Sequence, residues 1–276
     1  MIPENFYKNN LNFLSTGKMK DRLGFFPTSL WSPDKTITKE LKVLINDTAQ
    51  VRKTINSNRG DRRHGVNGGK SSVFNPHLAQ KIIAAYCPIN ATIYDPFGGG
   101  GTRGYIATKM GHKYLGIEIR KEEVERVLKQ MKEWKLNFEL IVGDSRNYKP
   151  EKKYNFSFTC PPYYDLELYS NLSGDLSNCK DYETYLIELK KVVKNVYDCL
   201  KENSFSVWVV GNFRDISGKL EHLNGDLVRI AKEVGFIMWD EIIWEGASNV
   251  ALTRCGKFEK NRKSVRMHEY VLIFKK

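Results

Sequence analysis

The 276-residue chain is 41% hydrophobic and carries a net charge of +12, enough apolar material for one large α/β domain or for such a domain with a small appendage. No stretch approaches the ~20 apolar residues of a membrane span, and Met1 to Asn10 is polar with no apolar signal core. Five widely spaced cysteines, without a C-x-x-C pair, argue against a disulfide framework or a structural zinc and for a reducing cytoplasm. The histidines have no metal-ligand spacing, so no metal is expected.

Residues 1–72 lack sustained periodicity. They hold prolines at 3, 27 and 33, the aromatics Phe25, Phe26 and Trp31, and one predicted helix from Ile37 to Ile55. They read as an irregular basic amino-terminal region. From Phe74 the pattern alternates between helix and strand. His77 to Tyr86 is amphipathic and starts behind Pro76, where a missing N–H costs nothing. Strand Ala91 to Asp95 runs into a glycine-rich turn, and a helix over Arg103 to Met110 is stopped by Gly111. Strand Tyr114 to Glu118, helix Lys121 to Lys135 and strand Phe138 to Val142 follow, then strand Asn155 to Phe158. Helix Asp181 to Lys201, strand Phe205 to Val210, helix Gly225 to Val234 and strands Phe236 to Trp244 and Tyr270 to Phe274 finish the chain, with Trp239 and Trp244 expected in the core. This alternation predicts a mainly parallel sheet of Rossmann type with helices on both faces, whose ligands bind beyond the carboxyl ends of the strands.

The charge is concentrated. Between Val51 and Lys70 six basic residues, among them Arg59, Arg62 and Arg63, face one acid, and between Thr253 and Arg266 six more, including Arg254, Lys260, Arg262, Lys263 and Arg266, face Glu259. Each segment carries +5, so ten of the twelve excess charges sit in two predicted loops. Such loops suit a phosphate backbone.

Three acids end the first three strands. Asp95-Pro96-Phe97 precedes four glycines and Thr102. Glycines let the backbone approach a ligand, and an acid at the start of the loop suits an ammonium better than a phosphate. Glu118, 23 residues after Asp95, stands where such folds place the acceptor for ribose hydroxyls. Asp144 could accept the amino group of an adenine. An adenosine joined to an amino acid is S-adenosylmethionine. At the end of the next strand stands Thr159-Cys160-Pro161-Pro162-Tyr163-Tyr164. Prolines stiffen the main chain and donate no hydrogen bonds, so two carbonyls are expected free to accept protons beside a thiol and two aromatic rings.

These motifs, in this order, resemble the amino-directed DNA methyltransferases, which methylate the exocyclic amine of adenine or cytosine. Asp95, Pro96, Phe97, Gly99, Gly101 and Thr102 match that family's cofactor motif. Pro161, Pro162 and Tyr163 match its catalytic motif, with Cys160 in place of the usual Asp, Asn or Ser. Phe74-Asn75-Pro76 resembles the segment that helps cover the methionine end of the cofactor, and Gly235 to Trp244 with His268 to Lys275 resembles the closing strand pair. The resemblance covers residues 73–276 and implies a seven-stranded methyltransferase domain, with residues 1–72 as a possible DNA contact. It implies double-stranded DNA as partner and a flipped-out base, since the target atom is unreachable within a duplex. The Pro161 carbonyl is a natural acceptor for the target amine, and Tyr163 would stack on the base. Cys160 stands nearest the serine version of the motif, which favours cytosine N4 over adenine N6. A nucleophilic role for Cys160 is a sharper alternative. RNA methylation at an exocyclic amine and a catalytically silent nucleic-acid-binding subunit are further readings. The acidic, aromatic loop 165–170 would organise the base pocket or cap nearby backbone.

Overall fold

The computed structural model describes residues 16–25, 27–32, 74–164, 169–215, 217–246 and 255–276. The expected helix from Ile37 to Ile55, the basic segment with Arg59, Arg62 and Arg63, Arg254, and loop residues 165–168 lie outside the described residues.

The elements follow the expected alternation. Helix α1 (Thr16–Leu23) and strand β1 (Leu30–Trp31) come first. Helix α2 (Pro76–Tyr86) starts where the Asn75 side chain accepts from the backbone N–H of His77 and Leu78, which satisfies two of the donors that a helix start leaves open. Strand β2 (Thr92–Asp95), helix α3 (Thr102–Lys109), strand β3 (Lys113–Glu118), helix α4 (Lys121–Glu133) and strand β4 (Glu139–Val142) complete one half. Strand β5 (Tyr154–Thr159), helix α5 (Tyr182–Cys199) and strand β6 (Leu200–Val210) begin the other. A two-stranded ribbon follows, β7 (Phe213–Arg214) with β8 (Leu220–Glu221). Helix α6 (Leu223–Val234), strand β9 (Ile237–Glu245), short helix α7 (Phe258–Asn261) and strand β10 (His268–Lys275) end the chain.

The main sheet has eight strands in the order β1-β9-β10-β6-β5-β2-β3-β4. Strand β10 is antiparallel to both β6 and β9, and the other pairings are parallel. The expected count of seven is exceeded because β1, from the amino-terminal region, adds to the free side of β9 through Leu30 and Trp31. Two residues with a turn behind them leave almost no periodicity to read, and the pairing is tertiary.

Period-two alternation divides the core. Ile93, Val207, Val209, Val271 and Ile273 join one apolar cluster with Leu78 and Ile82 of α2, Ile106 of α3 and Val127 of α4. Their strand neighbours Tyr94, Trp208, Val210, Leu272 and Phe274 join the opposite cluster with Leu189, Val192 and Val196 of α5 and Leu227 and Ile230 of α6. A strand buried on both faces must be apolar at successive positions, as these are. Trp244 is buried as expected, whereas Trp239 is 54% exposed, with the Lys275 ammonium 4.8 Å from its ring centroid. β1 pairs with Ile243 and Trp244, so among the described residues the start of β9 has no strand on that side.

The chain order reverses between β2 and β5: β3 and β4 extend the sheet to one side, and β5 and β6 to the other. Asp95 and Thr159 end these two adjacent strands, so the glycine loop and the Pro-Pro-Tyr motif leave the sheet side by side at the switch point, where open α/β sheets bind ligands.

Trp31 is 2% exposed and packs edge-on against Phe25 at 5.1 Å. Trp31→Ala should destabilise the protein by about 3–5 kcal/mol, measured by denaturant unfolding. A loss below about 1 kcal/mol would mean that β1 is not part of the folding unit.

Candidate active site at the sheet switch point

Asp95 is 0% exposed, and four donors converge on it. Oδ1 accepts from the Phe97 N–H at 3.0 Å and the Thr159 hydroxyl at 2.6 Å. Oδ2 accepts from Arg103 Nε at 2.6 Å and the Tyr114 hydroxyl at 2.6 Å. A carboxylate offers about four lone-pair sites, so none remains for a ligand. The expectation that Asp95 meets an ammonium directly therefore has an alternative, in which the carboxylate serves as an internal post. It joins the glycine loop (Phe97), α3 (Arg103), β3 (Tyr114) and the catalytic strand (Thr159).

Arg103 lies in the first turn of α3, where the helix dipole disfavours a cation. Asp95 compensates. Burial works against the guanidinium's charge, but Asp95 more than offsets this and holds its pKa above the ordinary arginine value. The same guanidinium donates to the Phe97 carbonyl and lies over the Phe74 ring at 5.0 Å. Phe74 meets Phe158 of β5 edge-on at 5.3 Å. Thus Phe74 reaches the site through Arg103 and β5, while Asn75 and Pro76 start α2.

Past Asp95, the Ser145 hydroxyl donates to the Pro96 carbonyl, and Phe97 packs edge-on toward Trp208 at 6.4 Å. Gly99 and Gly101 adopt φ of +52° and +80°, left-handed values that side chains oppose. At Gly101 a Cβ would also stand 2.6 Å from Val127 Cγ1. Thr102 is buried at the start of α3. Glu118 is 8% exposed at the end of β3, and its Oε1 accepts from both the N–H and Nε of Arg120 at 3.0 Å. Both bonds fall on one oxygen, so among the described residues Oε2 is left to accept. Asp144 follows β4 and is clasped by Arg146, whose N–H and Nε reach Oδ1 at 2.9 Å. Burial would raise its pKa, but the bonds from Arg146 prevail and lower it.

The second motif leaves β5 beside this loop. The Pro162 carbonyl accepts from the Tyr185 hydroxyl of α5 at 2.7 Å, so only one of the two expected carbonyls stays available. The Cys160 sulfur lies 4.0 Å from the Pro161 carbonyl oxygen. That sulfur is 3.7 Å from the Tyr163 hydroxyl, which donates to Glu269 Oε1 at 3.2 Å. Burial, then the charge of Glu269, pushes the Cys160 thiol up to about 12, so it is protonated near neutral pH and is a poor nucleophile. Tyr164 has φ of +47°, an uncommon value for a non-glycine residue. Its ring is held among Tyr182, Tyr185 and Phe213, with centroids 5.8 to 6.2 Å away.

The described part of the second basic segment borders this motif. Arg266 donates to the Asn212 carbonyl, just past β6, and its guanidinium lies 5.9 Å from the Tyr163 ring centroid. Lys263 donates to the Gly218 carbonyl of the ribbon turn at 3.0 Å. Lys260 and Arg262 are exposed, and Arg262 pairs with Glu259 at 3.1 Å. The sequence motifs did not point to Arg103, Tyr114, Tyr185 or Glu269. Arg103 alone carried a local signal, a cation in the first turn of a helix, and the others meet the site only through folding. No group of three or more potential metal ligands occurs among the described residues.

A model of the DNA methylase family, the N6/N4 methyltransferase group, matches residues 9–130 and 154–276. The chain belongs to this family. The match begins at residue 9, within the region that the sequence motifs left unassigned. The chain is 36% identical over 55 residues to the type II methyltransferase M2.LlaDCHI of Lactococcus lactis subsp. cremoris, covering 20% of each protein. It is 35% identical over 75 residues to the type II methyltransferase M.HinfI of Haemophilus influenzae, covering 27% of this chain and 21% of that one. These matches span about a fifth of the length of the curated relatives. A SAM-dependent methyltransferase of Methanosarcina mazei superposes with a TM-score of 0.50 at 16% identity, over 71% of this chain and 96% of the other, a likeness of fold. Family and fold make S-adenosylmethionine the cofactor, and the geometry fits it: a glycine turn with left-handed residues and a Glu118 oxygen that takes no hydrogen bond among the described residues.

Replacing Asp95 with Asn leaves the buried Arg103 without its counter-charge. Removing one partner of a buried pair costs about 3–5 kcal/mol, so the Asp95→Asn protein should unfold at markedly lower temperature without any ligand. A wild-type melting temperature would contradict the assignment of Asp95 as an internal post.

Proposed function

We propose that this chain transfers the methyl group of S-adenosylmethionine to the exocyclic amine of a cytosine (N4) or adenine (N6) flipped out of double-stranded DNA. The observation that carries this reading is the Thr159–Asp95 hydrogen bond at 2.6 Å, which fixes the Pro-Pro-Tyr motif against the glycine loop. Both curated relatives bear the name type II methyltransferase, and we extend that site-specific, restriction-modification role to this chain, working in the cytoplasm. Among the described residues no helix is long and apolar enough to cross a membrane.

Each residue has a distinct task. Gly99, Gly101 and Thr102 shape the loop that takes the amino-acid end of the cofactor, with Pro96 and Phe97 held in place by Ser145 and Trp208. Glu118 Oε2 accepts from the ribose, and Asp144 lines the adenine side. Phe74, Asn75 and Pro76 close the methionine end around Arg103. The bound cofactor supplies an already activated methyl group, so positioning does most of the work. The target amine is a weak nucleophile because its lone pair is delocalised into the ring. The Pro161 carbonyl accepts one of its N–H bonds and draws the nitrogen toward tetrahedral geometry, while Pro162, anchored by Tyr185, holds that carbonyl still. Tyr163 stacks on the base. The neutral Cys160 stands where related motifs carry serine, which favours cytosine N4. Lys260, Arg262, Lys263 and Arg266, together with Arg254 and the segment containing Arg59, Arg62 and Arg63, contact the phosphate backbone.

Incubation with labelled S-adenosylmethionine and unmodified duplex DNA, followed by digestion to nucleosides, should place the label in N4-methylcytosine or N6-methyladenine. Label in 5-methylcytosine, in RNA alone, or nowhere would contradict the proposal. Cys160→Ser should retain activity within about tenfold, whereas the nucleophilic alternative requires its complete loss.

Replacing Lys260, Arg262 and Lys263 together with Ala should weaken DNA binding. It should also reduce the slope of log affinity against log salt by up to about 2.7, at roughly 0.9 per phosphate contact. An unchanged slope would remove this segment from the interface.

A further inference from the structure

The catalytic motif lacks the acid found at its first position in many related motifs, yet amine methylation still has to dispose of a proton. Among the described residues, four carboxylates near the carboxyl ends of the strands border the site. Asp95 is saturated by its four donors. Glu118 and Asp144 follow β3 and β4 and are bound to Arg120 and Arg146. Glu269 reaches the catalytic motif itself. It is the second residue of β10, which lies antiparallel beside β6, and it is only partly buried. Its Oε1 accepts from the Tyr163 hydroxyl at 3.2 Å, and that hydroxyl is 3.7 Å from the Cys160 sulfur.

We propose that Glu269 supplies the acidic function missing at Cys160, acting through a hydrogen-bonded series that runs from the Cys160 thiol to the Tyr163 hydroxyl to the Glu269 carboxylate. This inference rests on the exocyclic-amine reading above. The direction of the series follows from the donor inventory. A tyrosine hydroxyl has one proton and two acceptor sites, and the Tyr163 proton is committed to Glu269. The oxygen of Tyr163 then accepts from the Cys160 S–H, which turns the thiol proton away from the target amine and leaves the sulfur lone pairs facing it. A high thiol pKa agrees with this picture, since the series needs a protonated Cys160.

The proton balance is explicit. The amine nitrogen forms a bond to the methyl carbon as the sulfonium–methyl bond breaks, and the cofactor leaves as a neutral thioether. The methylated nitrogen carries one surplus proton. That proton passes to the Cys160 sulfur as the thiol proton moves to Tyr163 and the tyrosine proton moves to Glu269. Glu269 ends neutral and returns its proton to water. No oxidant, reductant or metal is needed. Glu269 touches no reacting atom, so it is a positioning residue whose influence reaches the amine through Tyr163 and Cys160. Arg266, over the face of Tyr163, shares the setting but not the series.

The test uses single-turnover methylation of duplex DNA by the full chain, with cofactor and DNA affinities measured separately. Glu269→Gln should slow methyl transfer on the order of 10- to 100-fold, within the span of proton-transfer contributions, with both affinities within about twofold of wild type. Tyr163→Phe breaks the same series, so adding Glu269→Gln to it should slow the reaction no further. Cys160→Asp restores an acid at the head of the motif and should recover most of the rate lost in Glu269→Gln, a rescue that a merely structural role would not allow. The inference is overturned by an unchanged Glu269→Gln rate, by independent losses in the double variant with Tyr163→Phe, or by failure of Cys160→Asp to rescue. A wild-type protein that methylates no exocyclic amine would instead defeat the underlying reading.

Discussion

The structure depends on one buried carboxylate. Asp95 ends the strand next to the reversal of chain order, and four donors from four parts of the chain meet on its two oxygens. Its charge is tolerable at 0% exposure only because Arg103 is beside it and every lone pair is used. Its consequence is geometric. The glycine loop and the Pro-Pro-Tyr motif belong to different strands, and Asp95 joins them through the Thr159 hydroxyl. A methyl donor and a methyl acceptor held on separate loops would be free to drift, and small displacements are costly when positioning supplies most of the rate.

Around this post the two halves of the site are stiffened by different means. The cofactor half uses backbone: left-handed Gly99 and Gly101, the Ser145 bond to Pro96, and Glu118 tethered by Arg120. The Pro-Pro-Tyr half uses aromatic hydroxyls and prolines: Tyr185 on the Pro162 carbonyl, Tyr163 on Glu269, and Tyr164 packed among Tyr182, Tyr185 and Phe213. Strand β10 completes this half from the other end of the chain. It brings Glu269 to the hydroxyl of Tyr163, and Arg266, just before it, to the ring face. The antiparallel strand that closes the sheet therefore also closes the site.

Much of this was legible in the sequence because it is local. Pro76 marked the start of α2, and Gly111 the stop of α3. The acids Asp95, Glu118 and Asp144 each marked the end of a strand, and the paired motifs led to the family. What stayed hidden is tertiary. Strand β1 is two residues long and exists through its partner β9. Trp239 looked like core but lies on the part of β9 that β1 does not reach. Asp95 is an acid before glycines in either role, and only the meeting of Arg103, Tyr114 and Thr159 shows that its lone pairs are spent. Glu269 lies 106 residues from Tyr163, with nothing in its local sequence to connect them.

If Asp95 holds the site together without itself binding the cofactor, its internal bonds survive when the ligand enters. A crystal structure of the protein with S-adenosylhomocysteine, the demethylated cofactor, tests this directly. The expected result is a ligand with its amino-acid end on the turn at Gly99 to Gly101 and its ribose on Glu118, with the bonds from Thr159 and Arg103 to Asp95 intact. An Asp95 carboxylate turned away from Arg103 and Thr159 to bind the ligand's ammonium would contradict it.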